Sequence, residues 1–434
     1  MNNSKPLRPF FILWAGQALS LVGSAVVQFA LIWWLTQETG SATILATASL
    51  VGFIPQIFLG PFVGVLVDRW SRRWTMFLAD SMIAAATVVL AYLFWIEAIQ
   101  IWHVMALLFI RSLGSAFHFP AMQASTSLMV PKEQLTRIQG INQVLEGSLN
   151  IIGAPLGALF LALLPMQGVL AIDIVTALFA IVPLLFIRVP QPEVPQDEAS
   201  AGKKSSFWTE MRQGLSYVWT WPGILILMGL AMMVNFILTP AIVMLPLLVT
   251  QHFSGSAWEL SIIESTFGIG IIVGGIVLSA WGGFKKRVIT TLTGLIGLGL
   301  GFALIGLAPA NLFWLAVAGA FLTGGMIAIT NGPVRAIFQA AIAPEMQGRV
   351  LTLLGSLSTA MTPIALILAG PLVDLVGIRP WFIVGGLGTL AVGISGFFIP
   401  ALLTVEDGRS PAPPQEAAKT VTEELQTDPE AISA

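Results

Sequence analysis

"GVLVDRWSRR", residues 64–73, closes a run of more than twenty almost wholly apolar residues and sets one acid, Asp68, among Arg69, Arg72 and Arg73. Charge placed at the end of a long apolar segment is what a chain does where it leaves a bilayer. The whole composition agrees. Of 434 residues, 56% are hydrophobic and 10% charged, against roughly 25% charged in an average soluble domain. The net charge of −2 says little about partners, because in a membrane protein the distribution of charge matters more than its sum.

Working outward, apolar stretches long enough to span a bilayer, about 20 residues at 1.5 Å each, fall at 10–36, 41–67, 74–96, 101–130, 136–164 and 168–188, then at 223–250, 258–282, 286–308, 311–342, 348–375 and 379–403. The amino-terminal segment is far longer than a secretory h-region of roughly 7 to 15 residues, so it reads as a retained first span. These spans predict an all-α integral membrane protein of twelve helices: a six-helix bundle over 1–188, a linker over 189–222 with an amphipathic helix in "SSFWTEMRQGLSYVW", a second bundle over 223–403, and a disordered polar tail over 404–434. With the amino terminus inside, Lys and Arg concentrate on inner segments, Arg379 alone falls on an outer loop, and Arg111 and Arg335 fall within spans. Both termini are therefore expected in the cytoplasm, with the chain in the cell membrane.

The two halves echo one another. "GIVLSAWGGFKKR", starting at Gly275, repeats the basic end of the opening stretch but carries Ser279 in place of Asp68, and the Pro120/Pro131 pair returns as Pro333/Pro344. Parallel six-helix repeats are a transporter architecture.

Several chemistries are excluded. There is no phosphate-loop motif, Cys is absent, and the three histidines are scattered, so no ATP site, metal centre or convergent nucleophile set is expected, and neither is a cofactor or an enzyme activity. The glycine runs "FGIGIIVGG" and "GLIGLGLG" read as close helix packing. Transport energy then has to come from an ion gradient. The expected partners are a small amphipathic substrate, protons and lipid, with no nucleic acid, for a chain acting as a monomer.

Ionisable residues inside spans are functional candidates because their burial is expensive. Arg111 lies about ten residues inside the fourth span, followed by His118, for which a hydrogen-bonded packing role is favoured over a proton-handling one. On the fifth span Gln139, Asn142, Gln143, Glu146 and Asn150 recur every three or four residues and form one polar stripe. Asp173 and Glu264, each a little inside the outer face, join Glu146 as candidate proton carriers, while a role capping neighbouring helices stays open for Asp173. A central cavity is expected to be lined by the stripe, by Arg111 and by aromatics such as Trp33, Trp34 and Phe236.

Gly64, Asp68, Arg69, Arg72 and Arg73 resemble the loop signature between the second and third helices of the major facilitator superfamily. That resemblance implies a conformational gating role for Asp68, with the arginines holding the loop in the cytoplasm. Arg111 resembles the fourth-helix Arg motif, and Gly153, Pro155 and Gly157 resemble the fifth-helix bend signature of exporters, with Ala154 inserted. "FIRSLGSAFHFPA", "AID" at 171–173 and "QGRVLTLLGSLSTAMTPIALILAGPLVD" are similar to macrolide-efflux transporters over residues 8 to 403. The resemblance implies proton-coupled export of macrolides or other amphipathic drugs. The alternative is the same fold exporting a siderophore or another endogenous metabolite.

Overall fold

The structure is a computed structural model that describes residues 7–191, 215–216, 218–219, 221–342 and 344–406. Most of the linker, with its expected amphipathic helix, and all of the tail beyond 406 lie outside the described residues. Twelve long helices follow in order: α1 (Arg8–Thr39), α2 (Ala42–Arg69), α3 (Arg72–Trp95), α4 (Ile101–Met129), α5 (Leu135–Leu163), α6 (Met166–Phe186), α7 (Pro222–Val243), α8 (Ala257–Trp281), α9 (Arg287–Leu307), α10 (Phe313–Ala341), α11 (Pro344–Val376) and α12 (Ile378–Gly396). All twelve contain segments long and apolar enough to cross a membrane. No strand occurs among the described residues.

Local chemistry sets the ends of these helices. α1 stops at Gly40, whose φ of 57° is left-handed, a conformation that costs glycine little. Ser41 then opens α2 by accepting a hydrogen bond from the Ile44 amide. α8 begins with a capping box in which Ser256 and Glu259 satisfy each other's backbone amides. Two spans end earlier than expected. The seventh breaks at Met244 and continues as short turns through Leu245–Leu247 and a π-helical turn, Leu248–His252, because Pro246 has no amide to donate and its ring blocks the preceding turn. The twelfth ends at Gly396, and Pro400 holds Ile399 in extended backbone before a four-residue turn.

The two halves use one packing scheme. In the first, α1 packs on α5 and α6, α3 on α4 and α6, and α2 on α4; in the second, α7 packs on α11 and α12, α9 on α10 and α12, and α8 on α10. The halves meet where α2 packs on α11 and α5 on α8, which are equivalent contacts under the repeat.

The buried side chains separate the two ends of the bundle. Toward the end holding the α1–α2 and α11–α12 turns, here the far end, one core joins both halves, with Val26, Leu45 and Leu107 sharing a cluster with Leu238, Ile263 and Leu366. Toward the terminal end there are two cores, each confined to one half. Phe10, Met76 and Ile138 belong to one, and Ile224, Phe338 and Leu402 to the other. Apolar burial therefore welds the halves together at the far end.

Candidate functional site

A cavity of about 260 Å³ lies between the halves, lined by Gln28, Phe29 and Ile32 of α1, Asn150 and Gly153 of α5, and Glu264 of α8. Glu264 is half-buried, and among the described residues no hydrogen bond or ion pair to its carboxylate is found. Close helix approach builds the walls. A side chain on Gly157 would meet the Phe29 ring at 2.6 Å, and one on Gly153 would meet Ala25 at 3.2 Å, so both glycines set the spacing of α1 and α5. On the other wall Ser265 donates to the Ile151 carbonyl at 2.7 Å, and a Cβ on Gly268 would come within 3.2 Å of the Asn150 carbonyl oxygen. These are contacts across the halves. α5 runs unbroken through Pro155.

The polar stripe divides. Gln139, Gln143, Glu146 and Asn150 are exposed on one face, running from the terminal end up to the cavity, whereas Asn142 turns aside and accepts a 2.7 Å hydrogen bond from the Trp14 indole. Four of the side chains expected at the cavity are elsewhere: Phe236 is not part of its lining and has its ring 6.5 Å from that of Trp381. Trp33 and Trp34 pack against the far-end core, and Arg111 is only 9% exposed.

Arg111 and Asp173 instead find each other. The guanidinium Nη1 sits 2.6 Å from Asp173 Oδ2, and Nη2 donates to the Ser24 carbonyl at 3.3 Å. Asp173, 2% exposed, also accepts from Ser24 Oγ at 3.0 Å and Thr87 Oγ1 at 3.3 Å. This satisfies the carboxylate with a permanent cation and two hydroxyls. Seven residues along the same helices lies a second polar layer that the sequence reading passed over. Asp80 on α3 accepts from Gln17 Nε2 at 3.0 Å, and His118 Nε2 of α4 lies 3.5 Å from its other oxygen. Asp80 stands only seven residues after the basic loop, so it resembled loop charge. The signal available was its seven-residue offset from Thr87, matched by Gln17 to Ser24 and by Arg111 to His118.

In the basic loop, Gly64, Asp68 and Arg69 occupy the last turns of α2. Arg72, 6% exposed, donates to the Ala124 carbonyl at 2.9 Å, and Arg73 donates to the Leu184 and Leu185 carbonyls at the end of α6. Arg73 thus satisfies orphan carbonyls at the end of α6, and together the two arginines pin α3 to α4 and α6. Lys286, 213 residues after Arg73, repeats the device by donating to the Leu403 carbonyl at 3.1 Å.

At the far end Asp374 of α11 accepts from Ala42 N at 2.6 Å, Thr43 N at 3.0 Å and Ser41 Oγ at 3.0 Å. A carboxylate from one half thus caps a helix of the other. Gln251 adds a 3.0 Å bond to the Gly40 carbonyl.

Two parallel six-helix repeats around a polar cavity define a membrane transporter. The chain belongs to the major facilitator superfamily, whose profile matches residues 13–365 and 224–429. It is 35% identical over 385 residues to macrolide efflux protein A of Streptococcus pyogenes, covering 89% of this chain and 94% of that protein. It is 25% identical to the multidrug efflux pump Tap of Mycolicibacterium fortuitum, with 95% of this chain and all of that one covered. A bacterial homologue of the human lysosomal transporter Spinster, solved inward-facing and unoccupied, superposes with a TM-score of 0.68 at 13% identity, covering 94% of this chain and 100% of that one.

Proposed function

We propose that this protein exports amphipathic cationic drugs of the macrolide kind in exchange for protons, by alternating access in the cell membrane, as a monomer with both termini in the cytoplasm. The observation that carries the reading is Glu264, a carboxylate without a protein partner among the described residues, in a cavity walled by Phe29, Ile32 and two amides. An amine drug supplies the missing cation and an apolar body. A cavity of about 260 Å³ is below the roughly 300–1,000 Å³ of drug-sized pockets. It therefore takes the charged group of the ligand while the rest extends along the α5 stripe.

The conformation fits loading from the terminal side. The shared core and Asp374 close the far end, and the exposed stripe leads inward from the other. The reverse state requires closure at the terminal end, where Asp68 at the end of α2 is the gating candidate. An anionic chelator as substrate is disfavoured, because Arg111 is already neutralised by Asp173. The macrolide relatives point to the same substrate class. The deciding experiment is accumulation of a macrolide panel in pump-deleted bacteria expressing the protein, with and without an uncoupler. Retention equal to the empty-vector control for every drug rejects the reading.

A further inference from the structure

The first half holds two buried acid–base pairs of different character. Arg111–Asp173 joins a carboxylate to a guanidinium that stays charged at any working pH, and two hydroxyls complete its shell. Asp80 has only the Gln17 amide as a hydrogen-bond donor among the described residues, with an imidazole beside it. His118 Nε2 is buried with no hydrogen-bond partner, 3.5 Å from Asp80 Oδ1. A shift of a few tenths of an ångström would make a charge-assisted bond.

We propose that Asp80 and His118 form the proton-carrying site of the transport cycle, and that Arg111–Asp173 is its fixed structural counterpart. In the empty site the pair is a carboxylate and a neutral imidazole. Loading places one proton between them and cancels the charge; unloading returns that proton to water. Access is by way of the His118 ring, 17% exposed on α4 beside exposed Ser115 and Phe119.

The groups facing Asp80 leave this assignment clear. α1 contributes Gln17, which does not titrate. α4 contributes His118 and, two turns further on, Arg111, which Asp173 of α6 holds. Level with Asp80, α6 brings Ala180, whose Cα lies against Gly16 of α1. On α3 itself the nearest charges are Arg72 and Arg73, occupied with helix-end carbonyls.

The link to substrate runs along α1. Gln17 bonds Asp80, and eleven residues on, the same rigid helix lines the cavity with Gln28 and Phe29. Neutralising Asp80 weakens the hold on Gln17 and frees α1 to move against α5.

This inference rests on the antiport reading, and the test separates the two. Full-length protein is reconstituted in liposomes with labelled erythromycin. Wild type is expected to accumulate drug under a pH gradient; failure to do so rejects antiport itself. Asp80→Asn is expected to lose gradient-driven accumulation at least tenfold while keeping drug counterflow within about twofold. Unchanged gradient-driven accumulation in that variant overturns the proposal, and so does equal loss of both activities. Independently of any drug, infrared difference spectra of the purified protein between acid and alkaline pH should show a protonated-carboxyl band that Asp80→Asn removes; a band left intact overturns the proposal. If Asp80→Asn does not fold, His118→Gln serves. Without the imidazole to share it, the proton is held less tightly, so the pH profile of coupled transport should move to lower pH, whereas an unmoved profile rejects the site.

Discussion

Asp374 caps the amino terminus of α2 from the opposite half of the molecule, taking the Ala42 amide at 2.6 Å and the Thr43 amide at 3.0 Å. The carboxylate meets the positive end of a helix, an arrangement stabilising at any helix start. Here it also joins the two halves at the far end, so opening that end must break it.

Removing the cap should release the far end. Losing an N-cap costs roughly 1 kcal/mol, about a fivefold change in a two-state ratio, and the whole effect falls on the far-closed state. Asp374→Ala should raise the far-open population by about that factor. The chain has no cysteine, so spin labels at Glu97→Cys and Leu312→Cys, on far-end turns of opposite halves, report the distance directly. An identical distance distribution in the variant would show that the cap bears no conformational load.

Breaking the Arg111–Asp173 pair should be far more damaging than removing it whole. Asp173→Asn leaves a guanidinium buried without its anion, a loss of about 3–5 kcal/mol for buried pairs. Arg111→Gln with Asp173→Asn leaves two amides that can bond each other. The single variant should therefore melt well below the double one in detergent. Arg111→Lys keeps the charge but not the second bond to Ser24, and should fall between wild type and Asp173→Asn. Equal melting points for the single and double variants would contradict a fixed ion pair.

The span pattern was legible because a bilayer needs about twenty apolar residues and marks the ends with charge, and the repeat was legible from basic loops spaced by half the chain. The two early helix ends followed from Pro246 and Pro400, whose effect apolar length alone does not carry. Glu264 and Asn150 were visible as polar residues in apolar spans, and they do meet at one cavity. The residues facing them across the cavity, Gln28 and Phe29 of α1, were not visible, because a helix face shows which side a residue occupies but not which helix it meets. Arg111, expected at the cavity, found Asp173 for that reason. Asp374 was hidden at the very end of an apolar span, since its importance lies in three donors some 330 residues earlier.

The glycines of α8 give a stability test with an internal control. A Cβ on Gly274 would lie 2.2 Å from the Gly325 carbonyl oxygen of α10, a backbone atom with nowhere to move. Gly275 has nothing within 4 Å. Gly274→Ala should lose about 1–3 kcal/mol, as overpacked interiors do, while Gly275→Ala should stay within roughly 0.5 kcal/mol of wild type. Thermal unfolding of the two purified variants checks this, and equal melting points would mean that α8 and α10 do not approach so closely.

Glu264 should select for charge rather than size. A charge-assisted hydrogen bond contributes about 1.5–3 kcal/mol, so Glu264→Gln, nearly isosteric, should weaken handling of an amine drug by roughly ten- to a hundredfold. Asn150→Leu removes a neutral contact of about 1 kcal/mol and should cost only several-fold. An uncharged lipophile of similar bulk loses nothing it was using, and its export by Glu264→Gln should match wild type. Drug susceptibility of a pump-deleted host, measured with a cationic and a neutral compound in parallel, separates these cases. Equal loss for both compounds would place Glu264 in the conformational cycle instead, and no loss for the cationic one would remove it from the binding site.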